Sequence, residues 1–241
     1  MDTPKLIPAE PFVPKNRKEQ LQYECVLLKV QMYQTKDVKR LEQLSEAIKE
    51  RYVELALSYA PFDENNILES LNRVDSDWRW DVFEVICSKY ELTPKAYNDA
   101  LKEAWMYGKG TGRAIPYFFK ADSKLLMTEE EQEYFNNLPD TVTLYRGCSV
   151  EELEGENSCF GISWTTSREI AEFFAFRADF EEPRMVVKAS VPKAEIKTFI
   201  NAREEFECIW LLCNEEDVEI VTTKPTDFFY DYMERKEQMD E

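Results

Sequence analysis

The sequence of 241 residues predicts an α+β protein. Three observations predict it. Apolar residues in the N-terminal part recur close to the 3.6 period of a helix. Beyond Pro139 the texture changes to short runs rich in Val, Ile, Phe and Thr, the composition of strands. Helices and strands do not alternate, so the pattern is one of segregated elements and not of βαβ units.

The elements follow in order. Residues 1–15 read as an extended arm, because Pro4, Pro8, Pro11 and Pro14 block regular structure. Residues 16–110 read as a helical region. From Lys18 to about Tyr59 the helical repeat is carried first by Tyr23, Val26, Leu27, Val30 and Tyr33. It continues through Leu41, Leu44, Ile48, Tyr52, Leu55 and Leu57. Further helices are expected over about 64–73, 77–91 and 94–107. The last has Thr93 to cap it and Pro94 in the first helical position, where a missing N–H costs nothing. Gly108, Gly110 and Gly112 form the one glycine cluster, the expected hinge into a second domain over 111–241. There a helix near 128–137 starts at Thr128. Strands are expected at Thr141–Arg146, Ser158–Thr165, Arg184–Val191, Ile196–Ile200, Phe206–Cys213 and Val218–Thr223. A helix capped by Ser167 interrupts them over about 168–178, and an amphipathic helix from about Thr226 to Met239 follows them.

Composition removes several classes of function. The chain contains no histidine, which excludes Ser-His-Asp and Cys-His catalysis, HExxH proteases and most zinc sites. Acid–base chemistry falls to carboxylates, Lys, Tyr or Cys. Six glycines and no GxGxxG or GxxxxGK[ST] argue against a Gly-rich phosphate loop. A net charge of −18 disfavours nucleic-acid binding by bulk electrostatics, although a local basic patch would reopen it. No apolar run approaches the roughly 18 residues of a membrane span, and the N-terminus has no secretory pattern. Six scattered cysteines without a CxxC pair read as reduced thiols of a cytoplasmic protein, while their even number also permits disulfides.

Three short segments of the β-rich half carry chemistry. Leu144-Tyr145-Arg146-Gly147 ends a strand with an arginine, whose fork of donors matches phosphate oxygens, and a glycine, which admits a ligand close to the backbone. Alone, it fits a surface arginine before a turn far better. Gly161-Ile162-Ser163-Trp164-Thr165 delivers two hydroxyls around an aromatic residue, Ser163 being the odd polar group in an apolar strand. Asn201-Ala202-Arg203-Glu204-Glu205-Phe206-Glu207 places two carboxylates two residues apart, which on a strand share a face. The pattern E-x-E is common here: Glu129/Glu131, Glu131/Glu133, Glu152/Glu154 and Glu154/Glu156 repeat it in stretches that read as solvated. Glu205 and Glu207 differ because Cys208, Ile209, Trp210, Leu211 and Leu212 follow at once.

Taken in this order and spacing, the three segments resemble the R-S-E class of mono-ADP-ribosyltransferases, which includes bacterial toxins and many phage and bacterial proteins. The run Ser163-Trp164-Thr165 is similar to the Ser-Thr-Ser motif of that class, with Trp in the middle position. The resemblance covers about residues 120–225 and does not reach the N-terminal helices. It implies a mixed, split β-sandwich core and NAD as co-substrate, with no metal. It implies that Arg146 grips the NAD diphosphate or adjacent ribose and that the Gly147 backbone holds the nicotinamide carboxamide. Ser163 would orient Glu207, and Thr165 would support the pocket wall. Glu207 would hold the nicotinamide ribose and stabilise the oxocarbenium-like state, and Glu205 would orient or deprotonate the acceptor. Phe173 or Phe174 would stack near the nicotinamide or serve as helix core. Glu at position 205 points to arginine on a protein as acceptor; relatives that modify messenger RNA keep nucleic acid in view. A toxin of this type requires an antitoxin or inhibitor, with the helical region as its docking place. The rival expectations are a non-enzymatic acidic interaction protein, a degenerate transferase scaffold, and an acidic mimic of nucleic acid.

Overall fold

A computed structural model describes residues 12–109, 111–154, 161–178, 182–213 and 215–240. The chain divides into two compact units, residues 1–111 and 112–241.

The first unit is helical. Helices α1 (Arg17–Gln34) and α2 (Val38–Leu57) pack on each other and are capped by the side chains of Asn16 and Asp37. Three more follow: α3 (Ile67–Asn72), α4 (Ser76–Lys89) and α5 (Pro94–Tyr107). As expected from Thr93-Pro94, the Thr93 hydroxyl accepts from the Ala96 amide. The core is built from Leu44, Ile48, Leu55, Leu71, Trp80, Phe83 and Leu101, all nearly inaccessible to solvent. The apolar repeat of α1 turns out differently. Its buried positions are Leu21 and Cys25, while Tyr23, Val26, Leu27, Val30 and Tyr33 stand on the surface. A helix with apolar residues on more than one face must expose some, and here the packing against α2 decided which.

The second unit opens with α6 (Ile115–Lys120) and α7 (Ser123–Leu126), neither of which the sequence reading anticipated, and α8 (Glu129–Asn137). Thr128 and Glu131 close a capping box at the start of α8. Then come β1 (Thr141–Ser149), the short α9 (Val150–Glu154), β2 (Ser163–Thr165), α10 (Arg168–Phe176), β3 (Arg184–Pro192), β4 (Ile196–Ile200), β5 (Glu207–Trp210), β6 (Val218–Thr222) and α11 (Asp227–Asp240). Residues 158–160 of the strand expected at Ser158–Thr165 lie outside the described residues. The strand expected at Phe206–Cys213 forms only over Glu207–Trp210.

The described strands form one six-stranded sheet in the order β4-β5-β2-β1-β3-β6, with every pair antiparallel. The unit is therefore α+β. Its sheet is held unevenly. β1 and β3 pair along nine positions, whereas β1 and β2 share only the pair Tyr145↔Thr165. The sheet thus consists of two three-stranded halves joined at one point. One face buries Val142, Leu144, Trp164, Val187, Phe199, Cys208 and Trp210. The other receives α10, whose Ala171 and Ala175 pack on Val186. Glu172 of α10 is fully buried among polar partners: Arg168 donates to it, as do the amide and hydroxyl of Thr226 ahead of α11. Among the described residues no helix is long and apolar enough to cross a membrane.

Candidate active site

The point where the two half-sheets part holds a cavity of ≈ 380 Å³. Arg146, Gly147, Ser163, Thr165, Glu205 and Glu207, separated by up to 61 positions in sequence, all line it.

Ser163 and Glu207 meet because of the β2–β5 register. Ser163 pairs with Ile209 and Thr165 with Glu207, so Ser163 and Glu207 are diagonal neighbours on one face. The Ser163 hydroxyl donates to Glu207 Oε1. Glu207 is only 4% exposed, so its charge sits at the floor of the cavity with little water to screen it.

Glu205 arrives by another route. The shared-face argument for Glu205 and Glu207 fails, because β5 begins at Glu207 and Glu205 belongs to the preceding loop. That loop is folded tightly: Glu204 and Phe206 have φ of 58° and 48°, and the Asn201 side chain accepts from the Phe206 amide. Thr165 donates to the Glu205 carbonyl at 2.8 Å and accepts from the Ser167 amide. Its hydroxyl therefore holds the loop. The Asn201 amide donates to Glu131 at 2.7 Å, so the α8 capping box anchors the other end of the loop. Glu131, which the sequence reading left among solvated acids, is buried here. Arg203 spans the two acids, with Nη2 2.7 Å from Glu205 Oε2 and 3.9 Å from Glu207 Oε2.

Arg146 by strand alternation belongs with Leu144 and Cys148, yet it reaches the cavity because β1 and β2 separate just beyond Tyr145. Its Nη1 donates to the Ser163 carbonyl at 2.7 Å, across the gap. Nε and Nη2 donate to Glu152 Oε1 at 2.8 and 2.6 Å. Glu152 also accepts from the Gly161 amide. Its acidic surroundings read as solvated, yet it is the ionic partner of the site arginine. Three of the five N–H groups of Arg146 are thereby used. Gly161 is required for this arrangement, since a Cβ there would lie 2.2 Å from Arg146 Nη2. Gly147 has a similar reason: a Cβ would lie 2.4 Å from the Ala171 carbonyl, so glycine lets α10 close on β1.

The structure adds residues that the sequence reading did not assign. Arg177 and Arg184 line the cavity together with Arg146 and Arg203. The wall thus carries four cations against the carboxylates of Glu205 and Glu207, in a chain of net charge −18. Arg177 lies over the Phe174 ring at 4.6 Å. Phe174 lines the cavity, whereas Phe173 packs on Tyr232 of α11. Ile170, Ala171, Phe174 and Arg177 share one face of α10 by helical spacing, a signal the sequence contains once that helix is known to cover the sheet. Arg184 carries no such signal, because its place depends on the pairing of β3 with β1. Among the described residues, no group of acidic or cysteine side chains is arranged to hold a metal ion. The described cysteines form no disulfide; Cys159 lies outside the described residues.

A buried carboxylate positioned by a hydroxyl, a second carboxylate on a pinned loop, and a cluster of guanidinium groups can together bind a phosphorylated ligand and stabilise positive charge on it. Compared with known proteins, the sequence matches no family model, and no characterised protein or solved structure is similar to it.

Proposed function

We propose that the chain is an NAD-dependent mono-ADP-ribosyltransferase, a toxin-type effector built on a split β-sandwich core, with a macromolecular acceptor. The observation that carries this reading is the Ser163–Glu207 pair on the floor of a cavity rich in arginine. NAD offers a diphosphate for the arginines and a ribose whose bond to nicotinamide breaks through a cationic state. Glu207 faces that ribose, held in one orientation by Ser163. Arg146 braces the gap between the half-sheets and directs its remaining N–H groups at the ligand. Arg177 and Arg184 share the diphosphate, and the Phe174 ring lies against the nicotinamide. Glu205 takes the proton of the acceptor. The sheet supports this reading because its halves join at a single residue pair, as a split core requires. A guanidinium already resting on Glu205 favours protein arginine as acceptor over messenger RNA.

Incubation with labelled NAD and cell lysate, followed by protease or nuclease, tests the reading. Protease-sensitive label is expected. Nuclease-sensitive label changes the acceptor class. No transfer together with no nicotinamide release overturns the proposal in favour of an acidic interaction protein. The exposed residues Val26, Leu27, Val30 and Tyr33 support the docking of a protein inhibitor on the helical unit. Its co-purification with the full chain, lost on deletion of residues 1–110, is the corresponding check.

A further inference from the structure

Arg203 stands where an acceptor has to stand. A ribosyl acceptor must reach the anomeric carbon that Glu207 serves and must also touch a base able to remove its proton. The Arg203 guanidinium lies beside both acids within its own chain, 3.9 Å from Glu207 Oε2 and 2.7 Å from Glu205 Oε2. Its side chain is 39% exposed and lines the cavity, so a ligand seated there meets it directly. The loop holds it in register. Left-handed backbone at Glu204 and Phe206, the Asn201 side chain and the Thr165 hydroxyl leave little freedom between Arg203 and the two acids. A group fixed beside the reacting centre has the advantage of high effective concentration over any acceptor from solution.

Given the NAD reading above, on which this rests, we propose that Arg203 is itself an acceptor and is modified by its own active site. One Nη nitrogen forms a C–N bond to the anomeric carbon of the nicotinamide ribose. The ribose–nicotinamide bond breaks, and its electron pair leaves with nicotinamide, which becomes neutral. One Nη proton passes to the Glu205 carboxylate. The product is a guanidinium bearing one ADP-ribose.

The test uses the purified full chain with NAD alone. Nicotinamide release is measured beside the intact mass and the mass of the peptide that contains Arg203. The expected result is one ADP-ribose per chain, on Arg203, formed at a rate per chain that stays constant on about tenfold dilution. The substitution Arg203→Lys abolishes that adduct. Nicotinamide release with the Arg203 peptide unmodified overturns this inference and leaves the NAD reading standing. A rate per chain that falls with dilution also overturns it, since the modification then passes between copies. No nicotinamide release from the purified chain overturns this inference, and the NAD reading falls with it only where transfer and release are also absent in the presence of cell lysate.

Discussion

Replacing Glu207 with glutamine preserves the shape of the side chain and removes its charge. Gln keeps an Oε1 to accept from Ser163, so the diagonal contact between β2 and β5 survives. Two opposing effects on stability follow. The lost attraction to Arg203 at 3.9 Å is worth at most about 4 kcal/mol at an effective dielectric of about 20. That figure shrinks further, because Arg203 is part-exposed and keeps Glu205 at 2.7 Å. Against it stands the cost of keeping a carboxylate only 4% exposed, which is several kcal/mol and is relieved by the substitution. The two nearly cancel, and the expected net change is within about 1 kcal/mol. The effect on rate has no such compensation. A preorganised group facing the developing charge contributes about 3–4 kcal/mol to the barrier, a loss of about 100- to 1000-fold. Nicotinamide release and a denaturant midpoint, measured on the same preparation, check both halves. A residual rate within about tenfold of the parent would refute the placement of Glu207 at the reacting carbon. A stability loss above about 2 kcal/mol would show that its charge serves the fold instead.

Two more outcomes follow from the packing. Gly161→Ala places a methyl group 2.2 Å from Arg146 Nη2, so the guanidinium has to shift and strain its hydrogen bonds to Glu152 and the Ser163 carbonyl. The expected loss is about 2–4 kcal/mol in stability with weaker NAD binding, read by denaturation and titration; a change below about 0.5 kcal/mol contradicts it. Burial, reinforced by the neighbouring Glu207, pushes the Cys208 thiol from 9.0 up to about 12. The unfolded chain then loses this proton near pH 9 while the folded chain keeps it, so the contribution is whole below pH 9 and is lost as pH rises towards 12, by about 1.4 kcal/mol per unit. Cys208→Ala should flatten the alkaline fall of the denaturant midpoint, and an unchanged slope refutes the assignment.

The elements that were legible in the sequence are those decided within a few residues. Thr93-Pro94, Thr128 and Ser167 cap their helices because a cap is a bond between a side chain and an amide two or three positions away. The strand Ile196–Ile200 appears as read, since its β-branched and aromatic composition is local. For the same reason Ser163 and Glu207 stood out as polar groups in apolar surroundings. Acidic residues were the weak point. Glu152 and Glu131 look like solvated charges along the chain, yet one binds Arg146 and the other anchors the loop of Glu205. Glu152 meets Arg146 only because the chain folds back after β1, and Glu131 meets the Asn201 amide, 70 positions away, only through the packing of α8 on the loop.

The sequence by itself determined an α+β chain, the caps at Thr93, Thr128 and Ser167 and most strand positions, since each follows from short-range geometry and polarity, and it singled out Glu205 and Glu207 as candidates. Only the tertiary structure decided that the sheet parts between β1 and β2, that Arg177, Arg184 and Arg203 gather with Arg146 in the gap, and that the apolar stripe of α1 faces outward. Burial and charge pairing depend on what lies across a sheet or a helix face, and that is a property of register and packing.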